Sequence, residues 1–337
     1  MKRIAAALAA CALSLGMLAA CGQGAPAPQG SASEDKIEIV CTTFPGYDWV
    51  RQVVGDRADR VEITYLADSG VDLHSFQPTV EDVAQIGSCD LFVYVGGESD
   101  EWVEDVLAHA ENPQIRTVCM LDAVGDAAVE EELVEGMQAE DEHDHEGEEE
   151  EHDHEEEGPE YDEHVWLSLK NAQIIVDAIA GELAVIDGDG AAVYVQNAAA
   201  YNAQLADLDS RYADAIAGAA NSTMLFADRF PFRYLADDYG LAYYAAFVGC
   251  SAETEASFET VAFLAQKLDE LGLGTVLVIE SSDQAIARTV IASTAAQNQQ
   301  ILVMDSLQST TSAEIEAGKT YLSAMEDNLA VLTTALG

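Results

Sequence analysis

Basic residues are scarce in this chain of 337 residues. It has 14 Lys and Arg residues against 62 Asp and Glu residues, which gives a formal net charge of −48. Proteins that bind nucleic acid neutralise phosphates with Lys and Arg, so no nucleic-acid partner is expected here. A strongly negative field favours the approach of cations instead. The composition therefore directs the search toward sites for cationic ligands.

Long hydrophobic runs and hydrolase signatures are also missing. Beyond the N-terminus, no segment approaches the roughly 20 apolar residues that a membrane-spanning helix needs. The sequence contains neither His-Glu-x-x-His nor Gly-x-Ser-x-Gly, the patterns of common zinc and serine hydrolases. We therefore expect no enzyme, and a zinc hydrolase is the weaker alternative.

The N-terminus has the pattern of a secretory signal. Two basic residues, Lys2 and Arg3, precede 17 uncharged residues, Ile4–Ala20, and then a cysteine. The sequence Leu-Ala-Ala-Cys that ends at Cys21 resembles a bacterial lipobox, which implies cleavage before Cys21 and lipidation of its thiol. We predict a location outside the cytoplasmic membrane, anchored by lipid, with residues 1–20 as the signal peptide and 21–35 as a flexible tether.

Four further cysteines would remain in the mature chain. Outside the cytoplasm they could form two disulfides in three ways. The sequence does not select one pairing, and none is predicted among Cys41, Cys89, Cys119 and Cys250.

Short apolar runs alternate with amphipathic segments along the rest of the chain. Strands that are apolar throughout and separated by helices indicate parallel sheets covered on both faces. We therefore predict an α/β fold with two lobes, each with a parallel sheet of about four strands flanked by helices. The predicted strands are Ile37–Cys41, Val61–Leu66, Leu91–Val95, Thr117–Leu121, Thr223–Phe226, Leu241–Phe247, Thr275–Ile279 and Ile301–Met304.

One long helix is predicted to join the lobes. Residues 192–219 contain no Pro, and Tyr201, Leu205, Leu208 and Tyr212 recur at spacings of three and four. The alternative is two shorter helices of the second lobe. The predicted boundaries are an N-terminal lobe at 36–191 with a disordered His- and acid-rich loop at 139–163, the linking helix at 192–219, and a C-terminal lobe at 220–337.

The predicted loop contains the pentapeptide Glu-His-Asp-His-Glu twice, at residues 142–146 and 151–155. Such a charged tract cannot form a core, but imidazole nitrogens and carboxylate oxygens both ligate zinc-type cations. The alternative is a solvated acidic loop without a ligand. The predicted secondary metal contacts are His143, His145, His152 and His154.

Two other histidines lie in better-defined surroundings. His74 follows the second predicted strand and precedes a helix whose start is marked by a capping box of Thr79 and Asp82. His164 comes directly after the acidic tract and before the apolar residues 165–167, which should hold its ring in place. Sites in open α/β sheets form beyond the carboxyl ends of strands, which is where His74 lies.

Taken together, these motifs resemble a known family. His-x-x-x-Pro-Thr at His74, then Asp-x-His-x-Trp-Leu at His164, joined by a His-rich loop in a lipoprotein, resembles the ZnuA-type substrate-binding proteins of zinc and manganese ABC importers. The resemblance implies two α/β lobes joined by one long helix, with a metal held between them. It also implies a monomer that captures Zn²⁺ outside the membrane and delivers it to an ABC permease, whose ATPase is a separate subunit. A manganese or iron receptor of the same class, and a surface metal-buffering or adhesin protein, are the alternatives.

The resemblance also implies a ligand set. His74 and His164 match the first-lobe ligands, and Asp305 matches an acid after the final strand. Where the family has a His or Glu after the first strand of the second lobe, this chain departs from the pattern, and Asp228 is the nearest carboxylate. Two neutral imidazoles and two carboxylates would cancel the charge of a dication. The reserve ligands are Glu280 and Cys250, of which the cysteine would make a softer site that favours zinc.

Overall fold

The computed structural model of the protein describes residues 36–138, 160–251 and 255–337. In these residues the strands form two sheets of four, and all pairings are parallel. The strands of the first sheet are β1 (Ile37–Cys41), β2 (Val61–Tyr65), β3 (Leu91–Tyr94) and β4 (Arg116–Cys119), in the order β2-β1-β3-β4. Those of the second are β5 (Thr223–Phe230), β6 (Ala242–Val248), β7 (Thr275–Ile279) and β8 (Gln300–Met304), in the order β6-β5-β7-β8.

Helices separate the strands, as a parallel sheet requires. We call the part of the chain before helix α6 (Ala191–Ala217), which carries the first sheet, the first half, and the part after α6, which carries the second sheet, the second half. The helices of the first half are α1 (Phe44–Val54), α2 (Val80–Ser88), α3 (Trp102–Ala108), α4 (Met120–Val124) and α5 (Leu169–Ile186). After α6, those of the second half are α7 (Arg233–Tyr239), α8 (Phe258–Leu271), α9 (Ala285–Ser293), α10 (Ser312–Glu316) and α11 (Tyr321–Leu336). Short 3₁₀ turns occupy Gly55–Arg60, Leu73–Ser75, Glu98–Asp100, Gly125–Ala127 and Val165–Leu167.

The predicted fold class is confirmed, including the single long helix. Helix α6 runs unbroken for 27 residues and buries the face that Tyr201, Leu205, Leu208 and Tyr212 form. It packs against α1, α5 and α11. The hydroxyl of Tyr212 donates to the Met325 carbonyl at 2.6 Å, so this helix is fixed to the C-terminal helix as well as to the first half.

Two local boundaries differ from the predictions. Strand β5 extends to Phe230 because its pairing with β6 resumes after a bulge, so Asp228 lies within the strand rather than after it. Residues 160–163, predicted as the end of the loop, include the buried side chains of Asp162 and Glu163. Both carboxylates have partners near His164, which is why this acidic segment packs against the protein.

Parallel strands place the loops that follow them at one edge of each sheet. The loops after β2 and β3 carry His74 and Ser99, and the loop after β6 carries Cys250. All four cysteines in the described residues are free thiols. Within the same residues, no helix combines the length and hydrophobicity required to cross a bilayer.

Candidate metal centre

Two histidines that are 90 residues apart in the sequence face each other. His74 lies in the turn after β2 and His164 lies just before α5, and their Nε2 atoms are 3.2 Å apart. His164 is fully buried, and the side chain of His74 is only 7 % exposed. Nitrogens that each lie about 2.0–2.1 Å from a tetrahedral zinc are about 3.3 Å from each other. The observed separation of 3.2 Å between the Nε2 atoms is therefore close to the one expected when both nitrogens bind the same zinc ion.

Hydrogen bonds to the opposite ring nitrogens orient both imidazoles. Nδ1 of His164 is 2.9 Å from Oδ1 of Asp162, which also accepts from the His164 backbone N–H. Nδ1 of His74 is 2.9 Å from Oγ of Ser99 and 3.4 Å from Oε2 of Glu163. Since the ionised Asp162 carboxylate only accepts, we assign His164 as the Nδ1–H tautomer, and the Ser99 hydroxyl can accept from the same tautomer of His74. The Nε2 lone pairs are then directed toward each other, as metal-ligating histidines require.

The electrostatics prevent both rings from being charged together. Burial lowers the pKa of His74 to about 3, and repulsion from His164 acts in the same direction. Burial also lowers the pKa of His164, but the Asp162 carboxylate outweighs it, so that pKa lies above its ordinary value. At neutral pH the pair therefore binds at most one proton, which a metal ion would displace.

One buried oxygen beside His74 has no hydrogen-bond donor among the described residues. It is Oε2 of Glu163, which lies 3.4 Å from Nδ1 of His74. Burial raises the pKa of Glu163 to about 7. A buried acceptor without a donor costs about 1–3 kcal/mol, a cost that a nearby cation would offset.

A cysteine from the second half completes the cluster. Sγ of Cys250 and one ring nitrogen of each histidine all lie within 4.8 Å of one another. The loop after β6 comes this close because Gly249 has no side chain: a Cβ there would lie 2.9 Å from Cε1 of His164. The Cys250 backbone N–H donates to Oε1 of Glu131 at 3.0 Å, which fixes the loop to the first half.

The predicted carboxylate ligands do not belong to this close group. Oδ2 of Asp305 lies 2.7 Å from Nζ of Lys319. Glu280 accepts hydrogen bonds from the backbone and hydroxyl of Ser306, at 2.7 and 2.8 Å. Asp228 lines a separate cavity of about 370 Å³ that His74 also borders. Lys319 would compete with a metal for the Asp305 carboxylate, and ligation by these carboxylates stays a prediction.

An ion pair that the sequence reasoning missed lies beside the histidines. Nη2 of Arg229 in β5 is 2.6 Å from Oδ2 of Asp72, and Oδ1 of Asp72 accepts from the His74 backbone N–H at 3.1 Å. Burial raises the pKa of Asp72, but Arg229 outweighs it and keeps that pKa below its ordinary value. The pair thus connects the second sheet to the turn that carries His74. The position of Asp72, two residues before His74, was the available signal.

An acidic cavity of about 530 Å³ opens onto this group. Its lining includes His74 and Cys250 together with the acidic residues Glu98, Glu131, Glu160 and Glu163. Such a lining raises the local concentration of cations. Glu160 is also the first described residue after the His-rich tract. The tract's own histidines, His143, His145, His152 and His154, lie outside the described residues, as does Cys21.

Comparison with known proteins shows which family the chain belongs to. Residues 39–335 match the family model ZnuA, described as "Zinc-uptake complex component A periplasmic". The chain belongs to the ZnuA family. Among curated members, it is 32 % identical over 333 residues to the zinc-binding lipoprotein AdcA of Streptococcus pneumoniae, covering 98 % of this chain and 60 % of that protein. It is also 32 % identical over 329 residues to the high-affinity zinc uptake system protein ZnuA of Bacillus subtilis, covering 98 % of this chain and 96 % of that protein.

A solved structure of a ZnuA-family domain has the same fold. It is the Zn(II)-bound ZnuA-like domain of Streptococcus pneumoniae AdcA, with a TM-score of 0.68 and 29 % identity. The match covers 89 % of this chain and 99 % of that domain. The chain therefore spans about 60 % of the length of the pneumococcal AdcA relative, in which it corresponds to the ZnuA-like part.

Proposed function

We propose that this chain is an extracytoplasmic receptor that captures Zn²⁺ between its two α/β halves and delivers it to an ABC permease. The carrying observation is the pair of Nε2 atoms 3.2 Å apart on two oriented, buried imidazoles. The names of the relatives, a zinc-binding lipoprotein and a zinc uptake protein, support zinc as the cargo. Lipidation at Cys21 would hold the receptor at the membrane.

The path to the site is also part of the proposal. Cations would enter through the acidic cavity, whose lining includes His74 and Cys250. The His-rich tract would collect zinc and bind it more weakly than the main site. ATP hydrolysis would belong to the partner subunit of the permease.

Calorimetric titration of zinc into the purified chain, His74→Ala and His164→Ala tests the main site. We expect one tight site in the wild type and its loss in either variant, with weak binding by the tract remaining. His109→Ala is the matched control, because His109 bonds the Asp105 carbonyl on α3. Tight binding retained in both site variants would contradict the proposal.

A metal-buffering or adhesin protein, in which only the tract matters, predicts the opposite result for a deletion. Removing residues 140–159 should leave the tight site intact if the chain is a receptor. If the chain is a buffer, the deletion should remove nearly all zinc binding. The same titration therefore separates the two functions.

A further inference from the structure

We propose that the Cys250 thiolate is the third ligand of the bound cation, so that the second half contributes sulfur rather than a carboxylate. This inference rests on the proposed function, since it concerns the same cation. Two imidazoles and a thiolate form a borderline-to-soft site that suits Zn²⁺ better than oxygen-preferring Mn²⁺. Cys250 therefore determines which class of metal the receptor takes.

The first support is the position of the sulfur. Zn–N bonds of about 2.0–2.1 Å and Zn–S bonds of about 2.3 Å place tetrahedral N and S atoms about 3.6 Å apart. The sulfur and the two nitrogens already lie within 4.8 Å of one another. A closing movement of about 1.2 Å or less takes the atoms from at most 4.8 Å to this geometry, and Gly249 and Glu131 hold the Cys250 backbone in position for it.

The second support is that other second-half groups near the histidines are engaged. Asp305 is paired with Lys319 at 2.7 Å. The guanidinium of Arg229, which is paired with Asp72, is a cation and cannot ligate a metal. Among the described residues, Sγ of Cys250 is the second-half atom that lies within 4.8 Å of a ring nitrogen of each histidine.

The surroundings of the thiol match a site that is filled by a dication. Cys250 is a free thiol, and the carboxylates of Asp162, Glu131 and Glu163 lie near it. On binding, the S–H bond breaks, the proton leaves to solvent and the sulfur lone pair forms the bond to the metal.

Cobalt(II) is the probe that tests this ligand directly, because thiolate coordination produces a near-ultraviolet charge-transfer band. The full chain is titrated with Co²⁺ in the presence of a phosphine reductant. We expect the band in the wild type and its loss in Cys250→Ser. Cys119→Ser is the control: Cys119 is also half-buried, but its Sγ bonds the Val95 carbonyl, and the band should persist.

Alkylation gives a second readout that does not depend on a variant that folds. Zinc should change the rate of iodoacetamide modification of Cys250 in the wild type, because coordination replaces the thiol by a metal-bound thiolate, and should leave the rate at Cys119 unchanged; an unchanged rate at Cys250 would contradict sulfur ligation. Zinc affinity in Cys250→Ser should fall by about 10-fold or more, since losing even an outer-shell contact costs that much.

The outcomes separate this inference from the proposed function. Tight cobalt binding without the band, or a band that survives Cys250→Ser, overturns sulfur ligation and leaves the zinc receptor standing. Absence of any tight site in the wild type overturns both. If the band is lost in Cys119→Ser, the thiolate ligand is Cys119, and the inference is overturned.

Discussion

Single atoms decide the chemistry of this site, above all the nitrogen of each imidazole that carries the proton. Asp162 sets this for His164, and Ser99 is the hydrogen-bond partner of Nδ1 in His74. A ligating imidazole must be unprotonated, so proton and metal compete for the same lone pair. The pH dependence of binding therefore depends on residues that do not themselves touch the metal.

Asp162→Asn should shift this pH dependence. The pKa of His164 is raised in the wild type, so zinc affinity should begin to fall above the ordinary histidine pKa of about 6.5 as the pH is lowered. Without the Asp162 carboxylate, burial lowers that pKa and the fall moves to lower pH. At a pH well above this fall, affinity should drop by about 10–100-fold in Asp162→Asn because the ring loses its orienting partner.

Zinc titrations across pH on the wild type and Asp162→Asn measure both effects. Asp207→Asn is the control, since Asp207 is exposed on α6, away from the histidines. An unchanged midpoint in Asp162→Asn would show that this carboxylate does not control protonation at the site.

Gly249→Ala tests how closely the loop after β6 must approach the ring. The added Cβ would lie 2.9 Å from Cε1 of His164, so the loop has to move and carries Cys250 with it. We expect zinc affinity to fall by about 10-fold or more, comparable to the loss of an orienting contact. Gly274→Ala is the matched control, because a Cβ there meets nothing within 4 Å. If the two variants bind zinc with equal affinity, the close contact between the loop after β6 and the His164 ring does not affect zinc binding.

At the scale of elements, the Asp72–Arg229 pair connects the turn after β2 with strand β5. Each side chain is 15 % exposed, so the pair is largely desolvated. Removing one partner leaves a charge without compensation, which costs more than losing both. The pair should therefore stabilise the arrangement in which the two halves face each other.

A double-mutant cycle with Asp72→Asn and Arg229→Gln measures this link. We expect a coupling of about 0.5–3 kcal/mol in the free energy of unfolding, followed by denaturant titration. Lys36 and Glu62, an exposed pair at 3.9 Å, give the comparison cycle, with a coupling near or below about 1 kcal/mol. A coupling no larger for Asp72 and Arg229 would contradict the link.

The sequence predicts these elements well where local patterns decide them. All eight strands occur within a few residues of the expected bounds, and the capping box of Thr79 and Asp82 is present. Continuous apolar runs and capping residues are short-range signals. The length of β5 is not set by a short-range signal, because the strand continues where its pairing with β6 resumes after a bulge. The proximity of Cys250 to the histidines depends on the same long-range pairing, together with the space left by Gly249.

For the whole molecule, the core runs through both halves rather than stopping at a hinge. Buried residues of α1, α5, α6 and α11 belong to one hydrophobic cluster. Trp49 and Tyr321 pack edge to face, with ring centroids 4.9 Å apart. A ligand bound between halves joined in this way should stabilise the entire fold, because it binds the folded chain only.

Thermal unfolding with zinc tests this linkage. Free zinc at about 100 times the dissociation constant should add about 2.7 kcal/mol to the stability of the wild type. The variant lacking residues 140–159 should gain a similar amount, and His164→Ala should gain little. Stabilisation that vanishes with the deletion would place the tight site in the tract.

The account depends most on one cation shared by His74 and His164, and zinc anomalous scattering from crystals of the zinc-loaded chain tests it most directly. We predict a single strong peak about 2.0–2.1 Å from both Nε2 atoms. A map with no peak between these atoms, and zinc only elsewhere on the protein, would contradict the account.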